Sequence, residues 1–132
     1  MPDGGCLCGA LRYRVSGNPL AATLCDCRSC RRASGGVSVA WVVFAKAGVE
    51  WFKGGPHEYS SSPGIHWRFC GDCGSLVGYR RDSRPEHIDV TTATLDAPDA
   101  FAPTVEIWTG DKIAWEALNP DLPSKLRSSL NE

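Results

Sequence analysis

Seven cysteines in 132 residues constrain this chain more than any other feature, and they come as CLC at 6–8, CDCRSC at 25–30 and CGDC at 70–73. An odd number cannot pair completely into disulfides. The opening MPDGGCLCGA has neither the basic start nor the apolar stretch of a secretory signal. The longest apolar run, Val39–Ala45, is far short of the ~20 residues that span a bilayer. The expectation is therefore a cytoplasmic protein with no membrane partner, whose thiols stay reduced. Metal binding is the first hypothesis for so many reduced cysteines.

A chain of this length with 42% hydrophobic and 22% charged residues reads as one domain over 1–132, with enough apolar content for a core of its own. The formal net charge of -1 provides no general field to gather nucleic acid, so no nucleic-acid partner is expected. Short alternating or apolar stretches recur at 11–15, 37–44, 49–53, 58–61, 66–69, 75–80, 87–95 and 104–109. Gly and Pro punctuate them, and this spacing predicts an all-β domain. Helical signal is confined to a turn over 28–33, after the cysteine triplet, and a short C-terminal helix over 124–130 that Ser124 would cap.

The cysteines divide by ligand count. Cys6 and Cys8 with Cys70 and Cys73 supply the four thiolates that a closed structural zinc site requires, with a redox dithiol as the bland alternative. Gly74 after the second pair suits the positive φ of a zinc knuckle. Union of the two pairs requires the first and sixth predicted strands to lie side by side. Cys25, Cys27 and Cys30 are then left with three ligands and an open fourth position, the arrangement of catalytic zinc. Two other readings stay open for the triplet: a closed site completed by His57, His66 or His87, and a redox-active cluster. Asp26, between two ligands, is assigned to the surroundings of the ion or to solvent rather than to the ion itself.

GGCLCGALRYRV, CDCRSCRRASG, FCGDCGSLVGY, ATLDAP and a late Trp115 together resemble the glutathione-dependent formaldehyde-activating enzyme (GFA) family, which includes centromere-protein-V-like domains. The resemblance covers about residues 4–118. It implies two packed antiparallel sheets, a β-tent, with structural zinc on Cys6, Cys8, Cys70 and Cys73 and catalytic zinc on Cys25, Cys27 and Cys30. The implied activity is that of a carbon-sulfur lyase or S-(hydroxymethyl)glutathione synthase, joining glutathione or a related thiol to formaldehyde or a small aldehyde. Arg28, Arg31, Arg32 and Arg80 are candidate partners for the thiol's carboxylates. Trp108 and Trp115 are candidate walls of the pocket.

Two positions depart from the family pattern. Asp26 and Glu106 stand where the family often has His, and each replaces a potential cation with an acid. Extra carboxylates beside a three-thiolate zinc disfavour an anionic substrate. Two alternatives to the enzyme follow from the same residues: a zinc-stabilised binding module without catalysis, and an inactive relative whose exposed triplet senses oxidants.

Overall fold

The computed structural model describes residues 1–127. In chain order its strands are β1 (Asp3–Gly5), β2 (Arg12–Val15), β3 (Ala21–Cys25), β4 (Val39–Ala45), β5 (Val49–Lys53), β6 (His57–Ser62), β7 (Ile65–Phe69), β8 (Leu76–Arg81), β9 (His87–Thr91) and β10 (Val105–Ile107). A helix, α1 (Arg28–Ser34), follows β3. The rest of the regular structure is short 3-10 turns. No helix among the described residues is long and apolar enough to cross a membrane.

The strands form two sheets. One has three strands in the order β1-β2-β5, and the other has seven in the order β10-β3-β4-β9-β8-β7-β6. The mostly β architecture with two sheets and a helix after the triplet agrees with the sequence reading, and the differences have local causes. β1 and β3 were not foreseen, because DGG and AATLC lack the alternation of apolar and polar residues that marks a half-buried strand. β1 exists through its pairing with β2, and Gly4 permits it: a Cβ there would collide with the Tyr13 ring and lie 2.6 Å from the Thr94 carbonyl oxygen. The large sheet is not purely antiparallel, since β10 runs parallel to β3 with Ile107 opposite Cys25. The stretch 87–95 ends as a strand at Thr91. There the Thr91 hydroxyl donates to the Leu76 carbonyl and the Thr94 hydroxyl donates to that of Thr91. Ser124, the expected cap of a terminal helix, instead bridges Glu106 in extended form. Residues 125–127 of that expected helix are not helical either, and 128–130 lie outside the described residues.

Period-two alternation on β4 and β9 divides the interior between two faces of the large sheet. Val42 and Phe44, with Ile88 and Val90, meet Tyr13 and Val15 of the small sheet and Leu95 in one buried cluster. Trp41, one position out of phase, belongs instead to a second cluster with Cys25, Cys30, Trp67 and Ile107. The first face holds the sheets together, and the second carries the triplet. Phe44 is 1% exposed and meets Phe101 edge-on at 5.9 Å. Phe44→Ala is therefore expected to cost about 3–5 kcal/mol. Chemical denaturation measures it, and a loss below about 1 kcal/mol is incompatible with this core.

Candidate metal centres and the cavity beside them

Cys6, Cys8, Cys70 and Cys73 place four sulfurs within 4.8 Å of one another. Cys8 Sγ is 3.6 Å from Cys6 Sγ and 3.7 Å from Cys70 Sγ. The expectation that neighbouring strands unite the two pairs is corrected here, because β2 and β8 belong to different sheets. The pairs meet across the sheets, through the packing of Leu11 with Cys70 and Val77. The N–H of Leu7 also donates to the Ser75 hydroxyl at 3.0 Å and ties one loop to the other.

The knuckle geometry expected at the second pair is present. Gly74 has φ 78°, and its N–H donates to the Cys70 carbonyl at 2.8 Å. Backbone N–H groups also point at sulfur: Leu11 donates to Cys6 and Asp72 to Cys70. The Ser75 hydroxyl, followed by the Ser75 backbone, holds the Cys73 thiol down to about 5. These are features of a loop shaped to keep thiolates.

The second group is carried by one turn of chain. Cys25 ends β3, Cys27 caps α1 and Cys30 sits in its first turn, again with all sulfurs within 4.8 Å. The cap is the cysteine itself: Cys27 is extended (φ -64°, ψ 154°) and its sulfur accepts from the Cys30 N–H at 3.2 Å. Cys25 and Cys30 are buried with their sulfurs 3.5 Å apart. Hydrogen bonds from the Cys25 and Cys30 thiols pull Cys27 down to about 3, while the same closeness, Cys27 first, pushes Cys25 upward. Only one of the three can ionise easily unless a cation joins them. All seven cysteines are free thiols, and each group could hold a metal ion.

Among the described residues no His, Asp or Glu donor joins the triplet at that range. His57 lies over Gly71 and stacks against Phe69, His66 is bonded to Glu58 and Asp82, and His87 faces Arg84. Asp26 is 1% exposed, so it has no solvent role. Its two carboxylate oxygens have no hydrogen-bond partner, and burial followed by the neighbouring Glu106 raises it to about 7. Glu106 is buried too and accepts from the Asn119 N–H.

The triplet opens on a cavity of about 340 Å³. Its apolar wall is a group of rings that composition alone did not single out: Trp67 and Tyr79 meet edge-on at 4.8 Å, with Trp41 at 6.1 Å from Trp67 and 5.8 Å from Tyr79. Of the residues expected to bind substrate, Arg28 and Trp108 line this cavity. Trp108 does so from left-handed backbone (φ 56°, ψ 37°), a conformation that costs a bulky side chain and that clusters at functional positions. Arg31 donates to the Asp111 carbonyl beside the cavity, and Arg32 lies in an adjoining groove. Arg80 is held by Glu58 and Asp82 on the opposite side of its strand from Arg81, and Trp115 is 72% exposed; neither lines the cavity. Arg81, Arg84 and Asp89 do line it, and sequence reading missed all three. Alternation along β8 was the available signal: it puts Arg81 on the Tyr79 side and Arg80 on the other.

Replacing Cys70 by Ser removes one of the four converging thiols, itself part of the core at 2% exposure. The variant is expected to lose one metal equivalent and to unfold or melt far lower, since metal binding at such a site is also folding free energy. Metal analysis and thermal melting read the outcome. Unchanged metal content and melting temperature would exclude Cys70 as a ligand.

The family model described as glutathione-dependent formaldehyde-activating enzyme matches residues 1–111, which include both cysteine groups. No curated protein matches the chain. A crystal structure of a Rhodobacter sphaeroides protein is similar at 26% identity and TM-score 0.62, over 76% of this chain and 96% of that one. The ordered cysteine motifs, the two-sheet fold that unites them and the match over 111 residues have one source: the chain belongs to the glutathione-dependent formaldehyde-activating enzyme family.

Proposed function

We propose that this protein is a zinc-dependent carbon-sulfur lyase, which adds glutathione or a related thiol to formaldehyde or a small aldehyde and also runs the reverse cleavage. One observation carries this reading: three converging thiols, without a fourth protein ligand among the described residues, border a cavity large enough for a small substrate. Sulfur separations of 3.5 to 3.7 Å agree with the roughly 3.8 Å edge of a tetrahedron built on Zn–S bonds of about 2.3 Å. Cys6, Cys8, Cys70 and Cys73 would hold a structural zinc. Cys25, Cys27 and Cys30 would hold the other, whose bound state supplies the lowered pKa and fixed position that an incoming thiol needs for attack.

The chain's own residues do the rest. Trp41, Trp67 and Tyr79 exclude water along one wall and leave room for a small carbonyl compound rather than a bulky one. Arg28, on the first turn of α1 at the cavity edge, would bind a carboxylate of the thiol in a bidentate manner. Arg31 contributes by holding the turn that follows Trp108, through its bond to the Asp111 carbonyl. The buried Asp26 and Glu106 neighbour each other and do not line the cavity, which leaves the cavity's arginines to receive the anionic substrate.

Two outcomes are expected. Arg28→Ala should weaken glutathione binding by about 1.5–3 kcal/mol while binding of uncharged 2-mercaptoethanol changes little; calorimetry with both thiols distinguishes this from a purely structural role, which predicts equal losses. Partial chelation should first remove one metal equivalent, that of the triplet with its three protein bonds, together with carbon-sulfur activity, and spare most β-structure. Loss of both metals in a single step with the circular-dichroism signal would contradict separate structural and catalytic sites.

A further inference from the structure

α1 borders two depressions. One is the cavity beside the triplet, and the other is a groove of about 480 Å³ between α1 and the knuckle at Gly74. The two are contiguous, because Ser29, Ser61 and Trp67 border both. Trp67 is fixed at this junction by the hydrogen bond from its indole N–H to the Ser61 hydroxyl at 2.9 Å. Strand alternation puts Phe69 on the same side of β7 as Trp67, and Leu76, its partner on β8, packs against the Trp67 cluster. The groove therefore continues the cavity along the sheet, and a substrate confined to the cavity would leave the larger space unused.

The lining of the groove is selective. Its walls include Tyr59, Phe69 and Leu76, and among the described residues it contains one cation, Arg32, and no acid. The Arg32 guanidinium makes no hydrogen bond or ion pair among the described residues. Apolar walls with a single unpaired cation suit a short chain that ends in an anion. A cation in the last turn of α1 also favours the helix dipole, a role that makes no distinction between ligands.

We propose that this groove receives the arm of the thiol that ends in a lone carboxylate, with Arg32 as the partner of that carboxylate. The substrate class is then a peptide thiol with a carboxylate one residue beyond its cysteine; this rests on the carbon-sulfur lyase reading. The reach is adequate. Arg32 stands five residues beyond the Cys27 cap, about 7.5 Å along the axis of α1. Two extended residues, from the cysteine of glutathione to its glycine carboxylate, span roughly 7 Å. The two ends of glutathione also differ in charge. Its γ-glutamyl end carries an ammonium beside the carboxylate and suits the cavity, whose lining includes Asp111 as well as Arg28. The glycine end is an anion alone, and the groove offers an arginine and no acid.

The test compares glutathione with its glycine ethyl ester, which differs only at the carboxylate in question. Calorimetry reads the binding of each to the zinc-loaded full chain. Wild type is expected to bind glutathione about five- to tenfold more tightly than the ester, between the strength of an exposed ion pair and that of a charged hydrogen bond. Arg32→Ala should bind both alike, at the ester's affinity, whereas Arg28→Ala should weaken both by one factor and keep the preference. Arg32 is exposed, so the fold does not depend on it. Three results overturn the assignment and leave the lyase reading standing: a wild type that binds both thiols alike, an Arg32→Ala variant that keeps the preference, as a purely helical role predicts, or an Arg28→Ala variant that abolishes it. A wild type that binds neither thiol overturns the lyase reading, and this assignment with it.

Discussion

Repulsion among thiolates is the constraint on which the rest of this structure depends. Two charges 3.5 Å apart, as the Cys25 and Cys30 sulfurs would be if both ionised, repel by about 5 kcal/mol at an effective dielectric of 20. The fold nevertheless presses three thiols together at one place and four at another. Without a cation each group settles on unequal ionisation, as the low Cys27 beside the raised Cys25 shows. With a cation the same repulsion becomes attraction toward a common centre. Folding and metal binding are then one process at the four-thiol group, whose ligands come from opposite ends of a long chain segment and both sides of the sheet packing.

The two groups differ in what supports them. The four-thiol group fastens the small sheet's loop to the knuckle before β8, so it closes one end of the inter-sheet core. The triplet is local: six residues supply every thiol, and only the end of β3, the cap of α1 and the parallel strand β10 are needed to hold them. β10 matters more than its three residues suggest. It turns β3 into an interior strand, receives the Asp26 N–H at the Ile107 carbonyl and delivers Trp108 to the cavity. The triplet is thus built on one turn of chain beside a paired strand, and the four-thiol group joins the two sheets.

Much of the chemistry was legible before any fold was known. Cysteine spacing sorted seven thiols into four and three, and the fold brings together those same sets, because CxxC and CxC loops bring their own sulfurs close whatever surrounds them. Gly74 and the turn after the triplet were legible for the same local reason. β1 and β3 were not: two glycines in one and a short AATLC in the other carry no periodic signal, and their pairing partners lie elsewhere in the chain. The cavity's cations were also hidden, since Arg80 and Arg81 are neighbours in sequence and only strand phase and the Glu58 bonds of Arg80 separate their roles.

The sequence by itself therefore determined which atoms can bind a metal and how many stand in each group, since ligand type and short spacing are properties of a few adjacent residues. Tertiary structure alone decided that the two cysteine pairs meet across different sheets rather than along neighbouring strands. It also decided that His57, His66 and His87 lie away from the triplet, and that Asp89 faces the aromatic cavity instead of the inter-sheet core. These depend on sheet order and on the phase of each strand. A one-residue change of register would send Asp89 to the other face, and that register is set by contacts between residues far apart in the chain.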